Sequence, residues 1–108
     1  MKTYRIEDFK GGWFIGNFEP SLLKNPFIEV CHKFHPAEEE WPRHYHYAVE
    51  INCVINGEMT VNGQLFRRGD VFIIESMEVA KAEFLTDVDL IVIKYPSDPT
   101  DKFEINDV

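Results

Sequence analysis

From residue 28 to residue 95 the chain consists of short segments whose side chains alternate with period two, cut by turn-forming pairs. Ile28, Val30, His32 and Phe34 share one face of such a segment, and Glu29, Cys31 and Lys33 share the other. Val49, Ile51, Cys53 and Ile55 alternate in the same way with Glu50, Asn52 and Val54. Val71-Phe72-Ile73-Ile74 is a short apolar run, and Val88 to Tyr95 is mostly β-branched and apolar until Pro96 stops it. Period two marks strands, because successive Cβ atoms on an extended chain point to opposite faces. Asn56-Gly57 and Asn62-Gly63 lie between such segments, and Asn-Gly supplies the positive φ angles of tight turns, so both read as hairpins. Gly69-Asp70 marks a third turn. No stretch keeps a helical period over three turns, and Pro20 to Pro26 has room for one helical turn at most. Short strands at this spacing predict an all-β fold, a small barrel or sandwich.

A chain of 108 residues can bury one core, so we read a single domain over residues 1–108 with its core at about 28–95. The chain carries 19 acidic against 11 basic residues, a formal charge of −8. That balance argues against a nucleic-acid partner, because phosphate binding needs a basic footprint. No apolar run approaches the ~20 residues of a membrane helix. The N-terminus, Met1 to Asp8, lacks the apolar region of a signal peptide. Two cysteines, Cys31 and Cys53, do not make a disulfide framework. We therefore expect a soluble, cytoplasmic protein with free thiols and no membrane partner. The N-terminal segment 1–27 holds Trp13, Phe14, Phe18 and Phe27, which predicts packing on a sheet face or on a second subunit. The polar, acidic tail 97–108 predicts a peripheral, fraying segment.

All four histidines fall between positions 32 and 46. His44 and His46 are two apart, which on a strand puts both imidazoles on one face with Cα atoms about 6.5 Å apart. Glu50 has the same parity, but on a straight strand it would lie about 13 Å from His46. A three-ligand site therefore predicts a bend between Tyr47 and Val49. Two histidines and one carboxylate form a facial set that leaves metal positions open, suited to Fe(II) and also to Mn, Ni, Co or Zn.

Taken together, His44-Tyr-His46-x-x-x-Glu50-x-x-x-x-x-x-Gly57 resembles the first motif of the cupin superfamily. The resemblance covers about residues 28 to 95. It implies a single small cupin-type β-barrel (a double-stranded β-helix, or jelly roll) of the RmlC-like kind. It also implies a divalent transition metal on His44, His46 and Glu50. The family's leading glycine falls at Glu38. The second cupin motif opens at Gly69 and then departs from the pattern. Glu75 stands for the proline, Met77 for the second glycine, and Ala80 for the histidine that usually supplies a fourth ligand. Three arrangements follow: a metal on three ligands alone, a site completed by a substitute such as His32 or Glu75, or histidines that do acid–base or binding work without metal. By parity His32 is expected to point inward from a neighbouring strand, and Glu75 to sit near the barrel mouth. Ala80, Ala82 and Phe84 would line the interior, where two alanines leave space for a small organic ligand. Asn52 would line the pocket floor. The expected ligand-binding residues are thus His32, Asn52, Glu75, Ala82 and Phe84.

His35 precedes Pro36 and the Glu38-Glu39-Glu40 run, so it reads as a surface-loop residue. Tyr45 and Tyr47 have parity opposite to the paired histidines and should face away from the site. Arg43 would meet an anionic substrate group or form an external salt bridge. The face formed by Val49, Ile51, Cys53 and Ile55 needs cover, and since cupins commonly pair through such faces, the resemblance implies a homodimer. Three functions remain open at this point: a metal-dependent enzyme or binding protein for a small molecule, a metal-independent keto-sugar or nucleotide-sugar isomerase using the same histidines, and a non-catalytic ligand-binding cupin.

Overall fold

The computed structural model describes residues 1–105. Among these, two single turns of 3₁₀ helix, Ile6–Asp8 and Lys10–Gly12, precede ten strands. The strands are β1 Trp13–Ile15, β2 Glu29–His35, β3 His44–Tyr45, β4 Val49–Asn56 and β5 Glu58–Val61. They continue as β6 Gln64–Arg67, β7 Val71–Ile74, β8 Ala82–Phe84, β9 Val88–Tyr95 and β10 Phe103–Glu104. A five-stranded sheet has the order β1-β2-β9-β4-β7 and a three-stranded sheet the order β6-β5-β8, all antiparallel. A small ladder of β10 on β3 adds a third sheet. The expected all-β barrel is the architecture found.

The inner faces of the two larger sheets meet in one apolar cluster. Cys31, Val92 and Leu90 come from the first sheet, and Met59, Val61 and Phe84 from the second. Each such fully buried aliphatic side chain contributes roughly 1.5–3 kcal/mol.

The Asn62-Gly63 turn is as expected: φ is 51° and 82°, and Val61 pairs with Gln64 across it. Asn56-Gly57 is not a hairpin. The partners of β4 are β9 and β7, those of β5 are β6 and β8, so the chain crosses from one sheet to the other at Gly57. Gly57 has φ 93°, and a Cβ there would lie 2.1 Å from the Asp87 carbonyl oxygen. The glycine is needed for this close approach of two chain segments, not for a two-residue loop. At Gly69-Asp70 the turn is closed twice: Asp70 N donates to Arg67 O (2.9 Å) and Arg67 N to Asp70 Oδ2 (2.8 Å).

The facing of β2 is the reverse of that expected. Cys31 and Lys33 pair with Val92 and Leu90 on the inner face, whereas Phe34 is 57% exposed. Alternation gives two faces without saying which is inside, and here both carry apolar residues. The 3₁₀ turn at Lys10–Gly12 packs against β2, with Gly12 against the backbone of His32 and Gly11 beside Lys33 Nζ. The N-terminal aromatics divide accordingly. Phe14 meets Phe9 edge-on at 6.4 Å, Trp13 and Phe18 reach the interior, and Phe27 stays exposed. Pro20 to Pro26 holds no helical turn, only bends.

Most of the tail lies at the surface, but it is anchored: Ser97 and Asp101 are buried, and β10 pairs with β3 through Phe103↔Tyr45 and Glu104↔His44. The final part of the expected tail, residues 106–108, lies outside the described residues.

Candidate metal centre in the barrel cavity

A cavity of about 410 Å³ opens between the sheets. His44 enters it from β3, which is held on both sides. Glu104 pairs with His44 on one side, and on the other His44 exchanges backbone hydrogen bonds with Ala80 at 3.1 and 2.9 Å. Ala80 brings no ligand atom, but its backbone fixes the strand that carries one.

After Tyr45 the chain bends. Tyr47 N and Ala48 N both donate to the Asp101 carboxylate, at 2.7 and 2.8 Å, so one buried side chain caps the bend. β4 then begins at Val49 and brings Glu50 back beside His46. Glu50 Oε2 lies 3.2 Å from His46 Nε2, and one ligand atom each from His44, His46 and Glu50 fall within 4.8 Å of one another. The bend between Tyr47 and Val49 is the one that the spacing required.

Both imidazoles are oriented from behind. His44 Nδ1 donates to the Pro42 carbonyl at 3.1 Å, and His46 Nδ1 to the Asp101 carbonyl. A carbonyl only accepts, so each Nδ1 carries a proton and, in the neutral ring, each Nε2 is left with a lone pair. The rings meet edge to face at 5.0 Å. Burial keeps His44 below the usual histidine range, against the opposing pull of the Pro42 carbonyl. Burial also pushes the Glu50 carboxyl up, but His46, His44 and Lys94 outweigh it and hold it below the usual carboxylate range.

Glu50 Oε2 is buried with no hydrogen-bond partner among the described residues. A buried carboxylate oxygen this close to an imidazole nitrogen needs a cation, either a proton on Nε2 or a metal ion between the two. The residues fit a divalent metal: two imidazoles whose neutral rings offer Nε2 as a donor, and one buried carboxylate oxygen without a hydrogen bond among the described residues.

Behind this set runs a polar row across three strands. Glu29, Lys94 and Glu50 are in register on β2, β9 and β4. Lys94 Nζ donates to the Asp101 carbonyl at 3.0 Å, the same oxygen that holds His46. Burial pushes the Glu29 carboxyl up, partly offset by Lys94, and Glu29 Oε1 accepts from Asp98 N at 3.0 Å.

Of the other expected site residues, Asn52, Ala82 and Phe84 line the cavity, and Asn52 Nδ2 is buried without a hydrogen-bond partner among the described residues. His32 does not reach it. It lies on the outer face of β2 with Nε2 3.2 Å from Asp89 Oδ1, because the register of β2 turns its parity outward. Glu75 is also outside: it sits in an exposed turn whose N–H donates to Glu78 Oε1 at 3.0 Å. Tyr45 and Tyr47 do face away, packing on Phe103.

His35, Lys94 and Asp101 are among the cavity residues that the sequence does not single out. His35 is buried, not on a surface loop. It stacks on Phe84 at 4.1 Å, its Nδ1 lies 2.7 Å from Glu39 Oε1, and Trp41 Nε1 donates to the same oxygen. Its parity sets it on the face of Cys31 and Lys33, and the pairing of β2 with β9 turns that face inward. Lys94 was visible as a charge that follows the apolar run Leu90 to Ile93. Asp101 had no local signal.

No protein-family model and no curated protein sequence matches the chain. Solved structures do match its fold. The DMSP lyase of Ruegeria pomeroyi is 18% identical with a TM-score of 0.69, over 81% of this chain and 47% of that one. The chain thus spans about half the length of that enzyme. An RmlC-like cupin from Shewanella frigidimarina is 23% identical with a TM-score of 0.65, over 69% of this chain and 71% of that one. A conserved protein with a double-stranded β-helix domain from Klebsiella pneumoniae is 16% identical with a TM-score of 0.69, over 99% of both chains.

Proposed function

We infer that this chain, which has the cupin fold, is a metal-binding cupin that takes a small organic molecule into its barrel. The observation that carries this reading is Glu50 Oε2, buried without a hydrogen bond among the described residues and 3.2 Å from an imidazole nitrogen whose ring is oriented through its Nδ1. His44, His46 and Glu50 would hold the ion, and this donor set suits Fe, Mn, Ni, Co or Zn. When bound, such an ion supplies Lewis-acid or oxygen-binding chemistry. The chain's own residues do the rest. The carbonyls of Pro42 and Asp101 keep both imidazoles aimed, Ala80 and Ala82 leave room beside them, and Asn52 Nδ2 offers a donor to the bound molecule. Elemental analysis of untagged protein purified without chelator tests this. We expect close to one equivalent of metal, lost in His44→Ala; near-zero metal in the wild type overturns the reading.

One observation supports a metal-independent isomerase. Burial keeps His44 neutral at pH 7, and its free Nε2 could take a proton from a carbon next to a sugar carbonyl. Deuterium exchange into a keto-sugar by metal-depleted protein would favour it; no exchange across a sugar panel would sink it.

The same reading includes a homodimer and a cytoplasmic location. The outer face of β4, β7 and β9 is apolar across three strands, with Val71, Ile73 and Tyr95 at least half exposed. Two copies carrying −8 each would meet at least electrostatic cost on the apolar part of this face, away from Asp89. Both cysteines are free, which suits a reducing compartment. Among the described residues no helix is long and apolar enough to cross a membrane.

A further inference from the structure

In a chain of charge −8 with seven lysines, four of them, Lys10, Lys33, Lys94 and Lys102, line this one cavity. They come from four separate parts of the chain: the second 3₁₀ turn, β2, β9 and the tail before β10. Only the barrel closure brings them together.

The acidic residues around the same cavity are already occupied. Glu19 pairs with Lys24 at 3.4 Å, Glu29 accepts the Asp98 N–H, and the Asp101 carboxylate takes the N–H groups of Tyr47 and Ala48. Glu50 belongs to the His44–His46 group. The lysines are not matched in this way. Lys94 donates to a carbonyl, not to a carboxylate. Lys102 Nζ sits 3.9 Å over the Trp41 ring. Among the described residues, neither Lys33 nor Lys102 has a carboxylate within ion-pair distance. Burial and the nearby ammonium groups of Lys33 and Lys94 hold Lys102 below the usual lysine range, against Glu104 and Glu50. Ammonium groups at a partly desolvated cavity with no carboxylate at ion-pair distance favour an anion beside them.

The remaining wall sets the body of that anion. Met59, Val61, Phe84, Leu90 and Val92 are apolar, and about 410 Å³ is far more than an inorganic ion fills. We propose that the ligand of this cavity is a small organic anion, its charged group held by Lys33 and Lys102 and its apolar body lying against the Met59–Phe84 wall. The inference rests on the same cavity as the metal-binding reading but not on the metal. Lysine is a point charge rather than a planar fork, so carboxylate and phosphate esters share the required chemistry.

Tryptophan fluorescence at low ionic strength tests it, because Trp41 lies under Lys102 and Trp13 lines the cavity. The probes are phenylacetate, its neutral isostere phenylacetamide, and phenyl phosphate. Phenylacetate or phenyl phosphate is expected to bind at least tenfold more tightly than phenylacetamide; whichever anion binds more tightly names the class. The double variant Lys33→Met with Lys102→Met, its circular dichroism unchanged, should bring the acid-to-amide ratio close to one. Lys33→Arg with Lys102→Arg should restore the preference for the anion. Repeating the titrations on metal-depleted protein separates the two readings: charge discrimination without any metal uptake means that only the metal reading has failed. Equal binding of acid and amide, unchanged discrimination in the double Met variant, or no saturable binding by all three probes overturns the proposal.

Discussion

The backbone carbonyl of Asp101 accepts a hydrogen bond from His46 Nδ1, although 55 positions of chain separate the two residues. The same residue's carboxylate caps the bend that brings Glu50 to His46. One tail residue thus sets the tautomer of one ligand and the position of another.

Asp101→Ala is therefore expected to weaken metal binding by about 10–100-fold, the usual loss when the group behind a ligand is disturbed. It should also cost about 3 kcal/mol of stability, since two hydrogen bonds to a charged acceptor go together. Asp101→Asn, which keeps one acceptor, should cost less. Metal titration and urea denaturation check this; a variant with wild-type metal affinity would show that the tail does not position the site.

His44→Ala, His46→Ala and Glu50→Ala should each abolish stoichiometric metal. Because metal binds the folded chain and a preformed site is absent from the unfolded one, chelation should lower the stability of the wild type by about 3 kcal/mol at metal concentrations near 100 times the Kd. It should leave the melting temperatures of the three variants unmoved. A chelator-induced shift of equal size in His44→Ala would count against this ligand set.

Glu29 offers a pH test away from the ligands. Its folded pKa is raised above 4.5 by burial, so its contribution is intact below pH 4.5 and is lost as pH rises through the folded value. Glu29→Gln keeps a carbonyl oxygen for the Asp98 N–H but cannot ionise. Measured by urea denaturation of metal-free protein, the variant should gain on the wild type between pH 4 and pH 8. A gain in the opposite direction would mean that Lys94 stabilises the Glu29 charge more than burial penalises it.

At Gly57, φ is 93° and a Cβ would overlap the Asp87 carbonyl oxygen at 2.1 Å. Gly57→Ala should destabilise by about 2–4 kcal/mol, through left-handed strain and displacement of the crossing chain. Gly63→Ala also has positive φ but nothing within 4 Å of its Cβ, so it should cost only about 1 kcal/mol. Thermal melts of the pair settle the order.

Ile73 stands half exposed on the outer face of β7, with Val71 beside it at 64%. Ile73→Glu should turn a dimer into a monomer in sedimentation velocity runs, with cavity ligand binding retained. A monomeric wild type at 100 µM would remove the homodimer from the reading.

Much of this was legible before any coordinates. Period-two segments forced strands, and Asn62-Gly63 forced its hairpin, because these depend on neighbours in the chain. The spacing of His44, His46 and Glu50 even required the bend at residues 47–48, since no straight strand can bring all three together. What the chain order could not supply was which way each strand faces and what lies behind each side chain. His32 and His35 are three positions apart and so face opposite ways on a strand, and only the pairing of β2 with β9 put His35 inside and His32 outside. Asp101 looks like one more acid in an acidic tail until β10 docks on β3 and lays it under His46. The four cavity lysines, like the cover on Glu19 and Glu29, exist as a group only after the barrel closes. Local patterns follow from covalent geometry and repeat along the chain; a site is made from contacts between distant segments, whose register is set by the packing of the whole sheet.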